Sequence, residues 1–348
     1  MRLSRRVLNR TLLLRQHLLE RVDLTPAEMV EHLVGLQAQD NLPPYLSLAA
    51  RLTTFDPYDV TRGLEEKSLV RLLSLRGTIH LLTRADALTL RQWTRPVHER
   101  EIKVSQSVGD AREVDREAFV AALDEVLADG PLPQKQLGVA LAERFPEHPP
   151  TALGQLARSA LPLAQLPPRG TWKGSGTVLY QRVDRWLGGD LAEPDVPEIV
   201  RRYLRAFGPA SAADVTTWSG VTGLAGLIKG MDDLERHEDE NGKVLYDVPG
   251  APIAEEDRPA PVRLLGVYDN LWLSHAARDR VTEPDKRKHW MGTNGGMGST
   301  IFVDGWLEGV WRPVDGKVEI VRLLRDLTRA ERAQLDEEVA RVEALLAR

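Results

Sequence analysis

The feature that most limits what this chain can fold into is an order of elements that comes round three times: helix, helix, helix, strand, turn, strand. In the first round the apolar periodicity predicts helices over about 4–20, 25–37 and 44–51, with Thr25-Pro26-Ala27-Glu28 as a capping box. A hairpin follows, in which Leu69 to Leu75 runs into Arg76-Gly77-Thr78 and returns along Ile79 to Leu82. The second round predicts helices near 115–128, 133–144 and 151–161, broken by Gly130-Pro131, Pro146 and Pro149-Pro150. Its hairpin runs from Leu163–Leu166 through Pro167 to Gly176 and back along Thr177–Val183, again with an Arg-Gly-Thr in the turn. The third round has Val196–Phe207, Ser211–Trp218 and Thr222–Met231 as helices, then Leu234–His237 and Lys243–Val248 about an Asn-Gly turn.

Three helices and a two-stranded wing form the helix-turn-helix plan with a hairpin appended. That plan commonly presents one helix to DNA, although three-helix units also serve as protein-interaction modules. The wings differ in charge. The first carries Arg76 and His80, the second Arg169 and Lys173, and the third is acidic through Glu238, Asp239 and Glu240, which makes it a structural rather than a phosphate-contacting unit.

After about residue 260 the pattern changes: Val262–Leu273, Ser299–Val303, Trp306–Trp311 and Val318–Val321 read as strands, with Asp315-Gly316 a turn. Thr328 then starts a closing amphipathic helix through Leu335, Val339, Val342 and Leu346. The expected fold is α+β, mainly α: three tandem winged-helix units over 1–105, 106–190 and 191–255, then a small C-terminal β element and helix over 256–348.

Composition narrows the function. The 348 residues contain no cysteine, which removes disulfide scaffolds, thiolate metal sites, iron–sulfur clusters and cysteine nucleophiles together. The net charge of −5 hides an asymmetry: residues 1–100 carry 15 basic and 11 acidic side chains, and the remaining 248 carry 31 and 40. Any basic face therefore involves the N-terminal third. The Arg-rich start is weighed as a transit peptide and set below an amphipathic helix capped by Ser4, with Leu3, Val7, Leu14 and Leu18 near one face; a cytoplasmic protein with no membrane partner is expected. Glu28 and His32 sit one helical turn apart with no third ligand in sight, so no metal is expected.

The segment Gln37-Ala38-Gln39-Asp40-Asn41 sets four polar side chains in five positions at the expected end of the second helix. One reading is a solvated helix end running into Pro43-Pro44; the other is a site whose reaction carboxamides can serve, since glutamine is no proton acceptor near neutral pH. Several stretches in order along 1–325 favour the second: Gln37-Ala38-Gln39, Arg76-Gly77-Thr78-Ile79-His80-Leu81-Leu82, Ala206-Phe207-Gly208-Pro209-Ala210-Ser211, Tyr268 to His275, and Val303-Asp304-Gly305. Together they resemble the AlkZ-type bacterial winged-helix DNA glycosylases, and Gln39 sides with the branch that has glutamine rather than aspartate at the second motif position. The glycine-rich Gly292-Thr293-Asn294-Gly295-Gly296-Met297-Gly298 departs from the family pattern.

The resemblance implies a C-shaped monomer that excises N7-alkylated purines from double-stranded DNA without a cofactor, unhooks interstrand crosslinks in some members, and often gives self-resistance to a DNA-alkylating natural product. It implies a bacterial, nucleoid-associated enzyme. N7-alkylation puts positive charge on guanine, so the base leaves without protonation, and what remains is to place water against an oxocarbenium-like sugar. Gln37 and Gln39 are expected to hold that water. Side chains two apart on a helix diverge by roughly 200°, so this requires the helix to unwind or end near Ala38. Asp40 is the rival as a general base, and Asn41 and His80 are candidate supports, His80 serving equally as a structural histidine.

For DNA contact the second turn, Arg169, Thr171, Trp172 and Lys173, offers cations and an aromatic that either wedges into a groove or packs on its own hairpin. Arg76 on the first wing is a further candidate. Arg278 and Arg280 head a basic stretch running to Lys286, Arg287, Lys288 and His289, either a solvated loop or a phosphate contact. The alternative to an enzyme is a non-catalytic winged-helix DNA-binding protein, a transcriptional regulator or a drug-sequestering protein.

Overall fold

The computed structural model describes residues 1–290 and 298–348; most of the glycine-rich loop singled out above lies outside the described residues. The three rounds of helices and wing are present. The first wing is Leu69–Leu73 with Ile79–Thr83, the second Leu163–Leu166 with Leu179–Arg182, and the third Glu235–Asp239 with Val244–Asp247.

The first two wings are joined edge to edge. Arg71 pairs with Gln165 and Leu72 with Ala164, which makes one six-stranded sheet of both wings and two short flanking strands. The expected boundary near 105 divides hydrophobic cores but not sheets. Residues from Ile102 to Tyr180 bury their own cluster around Phe119, Leu123 and Leu153, whereas the first and third rounds and the C-terminal sheet share one large core. The third wing takes a parallel partner, Arg2–Leu3, so its acidic strand docks the N-terminus.

Three expectations are corrected. The second helix, expected to 37, stops at His32, because Val34 (φ 52°) and Gly35 (φ 99°) both adopt left-handed backbone that no helix continues through. The strand expected over Val262–Leu273 is confined to Arg263–Leu265; Tyr268 at φ 63° breaks it, and the Asp269 carboxylate caps a short helix at Asn270–Leu273. Helices Pro57–Glu65, Arg84–Trp93 and Arg95–Val104 stand outside the repeat.

The first helix, Arg5–Arg15, is capped by Ser4, but it is not a one-faced surface helix. Leu8 to Leu13 are buried all round, because Asn9, Arg10 and Arg15 find polar partners inside. Arg15 forms a two-pronged pair with Asp247 at 2.7 Å on each prong, and Arg51 pairs the same way with Asp269 at 2.8 Å. Removing one member of such a buried pair costs roughly 3–5 kcal/mol, so the N-terminal helix is bound tightly to the third wing. No helix among the described residues is long and apolar enough to cross a membrane.

Candidate active site

The site starts with the turn that ends the second helix. Gly35 is required there: besides its positive φ, a Cβ would lie 2.4 Å from Leu82 Cδ2. Its amide donates to Val30 O at 2.9 Å, and its carbonyl accepts from Asn270 Nδ2 at 2.9 Å, which ties the turn to the C-terminal part of the chain. Emerging from it, Leu36–Gln37 is a two-residue edge strand, with Leu36 opposite Leu81 and Gln37 opposite His80. The helix has ended at His32, so the divergence that a helix would impose on Gln37 and Gln39 does not arise.

Both carboxamides are held by the first wing. Gln37 is buried, and its Oε1 accepts from Arg76 Nη2 at 2.8 Å. Gln39 is exposed, and its Oε1 accepts from the backbone N–H of Ile79 at 3.3 Å. Between them Ala38 is buried; its amide donates to Ile79 O at 2.7 Å and its carbonyl accepts from Arg71 Nη2 at 2.8 Å. A carbonyl oxygen has two lone pairs, so each glutamine keeps one for a further donor.

His80 is not free to trade protons. Its Nδ1 stands 3.0 Å from Thr78 O and must donate, which leaves Nε2 as the acceptor for Arg76 Nη2 at 3.3 Å. Burial, then the Arg76 charge, push its pKa down to about 3. It is a neutral imidazole hydrogen-bonded on both nitrogens. Asp40 is exposed beside Gln39, and its charge acts on Arg71; Asn41 donates from Nδ2 to Gly174 O at 3.3 Å, tying the motif to the second wing's turn.

Arg76 sits at φ 55° in the first wing's turn, half-buried, and donates also to the carbonyl of Trp218. Burial and then neighbouring Arg278 lower its pKa to about 10, so it remains a cation. Arg71 is nearly inaccessible, 2% exposed, and likewise lowered to about 10 by burial first and Arg169 second.

The second turn divides its candidates. Lys173 is exposed and Arg169 half-buried. Thr171 is buried, with its hydroxyl donating to Pro168 O at 2.7 Å, and Trp172 packs its ring 4.8 Å from Tyr45 rather than on its own hairpin. As placed, the indole is core and does not project as a wedge. Asn41, Leu42, Tyr45, Trp172, Lys173 and Leu346 line a cavity of about 230 Å³ next to the glutamine strand. In the basic stretch Arg280 is buried on Pro209 O at 2.8 Å and Lys286 pairs with Glu308 at 2.7 Å, while Arg278 is half-buried and Arg287 and Lys288 are exposed. Sequence reasoning missed Arg71 and Asn270; a lone cation inside the apolar run Leu69–Leu73 was the available signal for the first.

A model of the family described as DNA glycosylase AlkZ-like matches residues 30–345. A relative from Streptomyces sahachiroi, named an interstrand DNA cross-link repair glycosylase, is 27% identical over 354 residues, covering 94% of this chain and 92% of that protein. The solved structure of Streptomyces sahachiroi DNA glycosylase AlkZ superposes with a TM-score of 0.82 at 22% identity, covering 100% of this chain and 98% of the other, a likeness of fold.

Proposed function

The chain belongs to the DNA glycosylase AlkZ-like family, and from that premise we propose that it hydrolyses the N-glycosidic bond of N7-alkylated guanine in duplex DNA, unhooks interstrand crosslinks made through that atom, and so gives self-resistance to a DNA-alkylating natural product. The observation that carries the chemistry is the pair of carboxamides, Gln37 and Gln39, both anchored to the first wing through one lone pair of Oε1. The second lone pair of each accepts an O–H of the same water. The name of the Streptomyces sahachiroi relative supports the crosslink part of the reading.

In this mechanism the C1′–N9 bond breaks with its electrons going to the base, which leaves as neutral N7-alkylguanine because it began as a cation. The positive charge passes to the sugar, the water oxygen adds to C1′, and its proton passes to solvent. Neutral oxygens suffice for that task because an oxocarbenium ion is a strong electrophile and the water needs placement more than deprotonation. Lys173 and Arg169 from the second turn, with Arg76 and Arg278, form the phosphate-contacting face in this reading, while buried Arg280, Thr171 and Trp172 shape it from within.

The test is single-turnover incubation of the purified protein with duplexes carrying N7-methylguanine, a bulky N7 adduct or an N7–N7 crosslink, scoring free base and alkali-labile sites. Release that is lost in Gln37→Ala with binding retained supports the proposal. Tight binding to all three substrates without release instead supports a sequestering or regulatory protein.

A further inference from the structure

The charge balance of the site is incomplete. Gln37 is bonded to Arg76, a permanent cation, and among the described residues no carboxylate lies within ion-pair distance of Arg76. Its partners are Trp218 O, Gln37 Oε1 and His80 Nε2, so that two of the five guanidinium N–H groups remain unused. A fixed cation one hydrogen bond from the water-holding group opposes the step in which positive charge moves from base to sugar. The site needs an anion.

Arg278 is the group placed to share it. Its loop meets Arg76 through Trp218, whose carbonyl accepts from Arg76 and whose ring packs 4.9 Å from that of Tyr203, the donor to Ser274 O; Arg278 forms no ion pair among the described residues, and its buried Nε and Nη1 have no hydrogen-bond partner there. The carboxylate that faces it, Asp214, is already committed. Asp214 Oδ2 accepts from Ser211 N at 2.8 Å and Ser211 Oγ at 2.7 Å, Oδ1 accepts from Ala276 N at 2.9 Å, and Arg280 and Lys243 draw on the same charge. The loop bearing Arg278 is fixed on both sides: Tyr203 donates to Ser274 O at 2.6 Å and Arg280 to Pro209 O at 2.8 Å. On the other flank, Gly220 packs so closely that a Cβ would lie 3.0 Å from Arg76 Cα. The two arginines are thus presented on rigid supports, which lowers the cost of binding an oxyanion.

We infer that Arg76 and Arg278 together hold one phosphodiester of the strand that carries the damaged nucleotide, and that this phosphate is the counter-anion missing from the catalytic strand. The inference rests on the glycosylase reading and deepens it. Arginine suits the role because its planar fork meets two phosphate oxygens at once. The same contact neutralises Arg76, and it fixes which linkage of the backbone lies beside Gln37.

The experiment is a cycle between protein and backbone. A duplex with a tetrahydrofuran abasic analogue is made with a neutral methylphosphonate at each linkage within two nucleotides of the lesion, and binding by the wild type and by Arg278→Gln is read by fluorescence anisotropy. At one linkage the substitution should weaken wild-type binding about ten-fold and Arg278→Gln binding clearly less, since only Arg76 remains on that phosphate, and Arg278→Gln should flatten the salt dependence by about one unit of slope. Losses that multiply at every linkage overturn the inference. Arg278→Lys, which keeps the charge but not the fork, gives a second reading if the glutamine variant fails to fold. Release of N7-methylguanine from an unmodified duplex is measured alongside. Release with multiplying losses sinks the phosphate site alone, and no release with intact binding sinks the catalytic reading while the cycle still decides the site.

Discussion

Arg71 donates from Nη2 to the carbonyl of Ala38 at 2.8 Å, so the peptide between the two glutamines is pinned from beneath by a buried guanidinium that makes no ion pair among the described residues. The same side chain approaches Gln165 Oε1 at 3.4 Å and fills the space that a Cβ on Gly170 would need, 2.2 Å from Arg71 Cδ. It therefore joins the Leu36–Gln37 strand to the second wing.

A buried cation without a partner is a poor contributor to stability, and an apolar side chain of similar length is often tolerated in its place. Arg71→Met should shift Tm by no more than a few degrees in either direction while lowering the single-turnover excision rate about ten-fold or more. Thermal denaturation and base release measured on the same preparation check this. A rate equal to wild type would remove Arg71 from the positioning of the glutamines.

Gln37→Ala and Gln39→Ala should each lower the excision rate at least about ten-fold with DNA affinity and Tm nearly unchanged, because in the proposed mechanism each deletes a group that acts in the transition state more than in binding. Asp40→Asn separates the two accounts of the water. The carboxamide mechanism expects its rate within about three-fold of wild type, whereas a general base would lose several orders of magnitude.

Gly35→Ala should destabilise by about 2–4 kcal/mol, from left-handed backbone strain together with the 2.4 Å approach to Leu82. Chemical denaturation gives the value. Activity at low temperature should fall as well, since the same turn launches the Gln37 strand.

Lys173→Ala should weaken binding to duplex DNA about equally for damaged and undamaged sequences and reduce the salt slope by about one. Trp172→Ala should act differently, by lowering Tm, because its ring is packed on Tyr45. A Trp172→Ala protein of unchanged Tm with selectively lost bending of DNA would restore the wedge.

Acid should unfold the protein from a known side. Burial first of all pushes the pKa of His80 and His275 to about 3 and that of His98 to about 4. In the unfolded chain these imidazoles titrate near about 6.5, so below that pH the unfolded state takes up protons that the folded state refuses. Their contribution is complete above about 6.5 and falls as pH drops toward the folded values, roughly 2 kcal/mol for each histidine by pH 5. Tm should decline over that window, and the excision rate at fixed folded fraction should show no histidine limb near 6.5.

What the sequence revealed and what it hid follow from the range of the forces involved. The wings and the caps at Ser4, Thr25 and Thr328 were legible because turn chemistry and capping boxes are local. The end of the second helix was not. Val34 is a β-branched residue at φ 52°, a conformation with no local signature, and it is held by contacts as distant in sequence as Asn270. The pair Gln37 and Gln39 stood out as polar side chains in an unlikely place, yet their partners, Arg76 in the first wing's turn and Ile79 in its returning strand, lie some forty residues on. The two alternatives for Trp172 could not be separated in the sequence for the same reason: an aromatic beside cations reads equally as ligand surface or as packing, and its neighbour Tyr45 lies far off in the chain.

The shared six-stranded sheet sets the mechanics of substrate capture. Because Arg71 and Leu72 are laddered to Gln165 and Ala164, the first two winged units cannot hinge about their connecting helices without tearing backbone hydrogen bonds. In the proposed glycosylase reading, a lesion that fits this rigid face imperfectly is accommodated by the duplex, which bends or opens toward the glutamines at a cost set by its own stacking. On that reading, adducts that have already weakened the stacking, or that lock it into a kink, are the ones such a surface is expected to engage most readily.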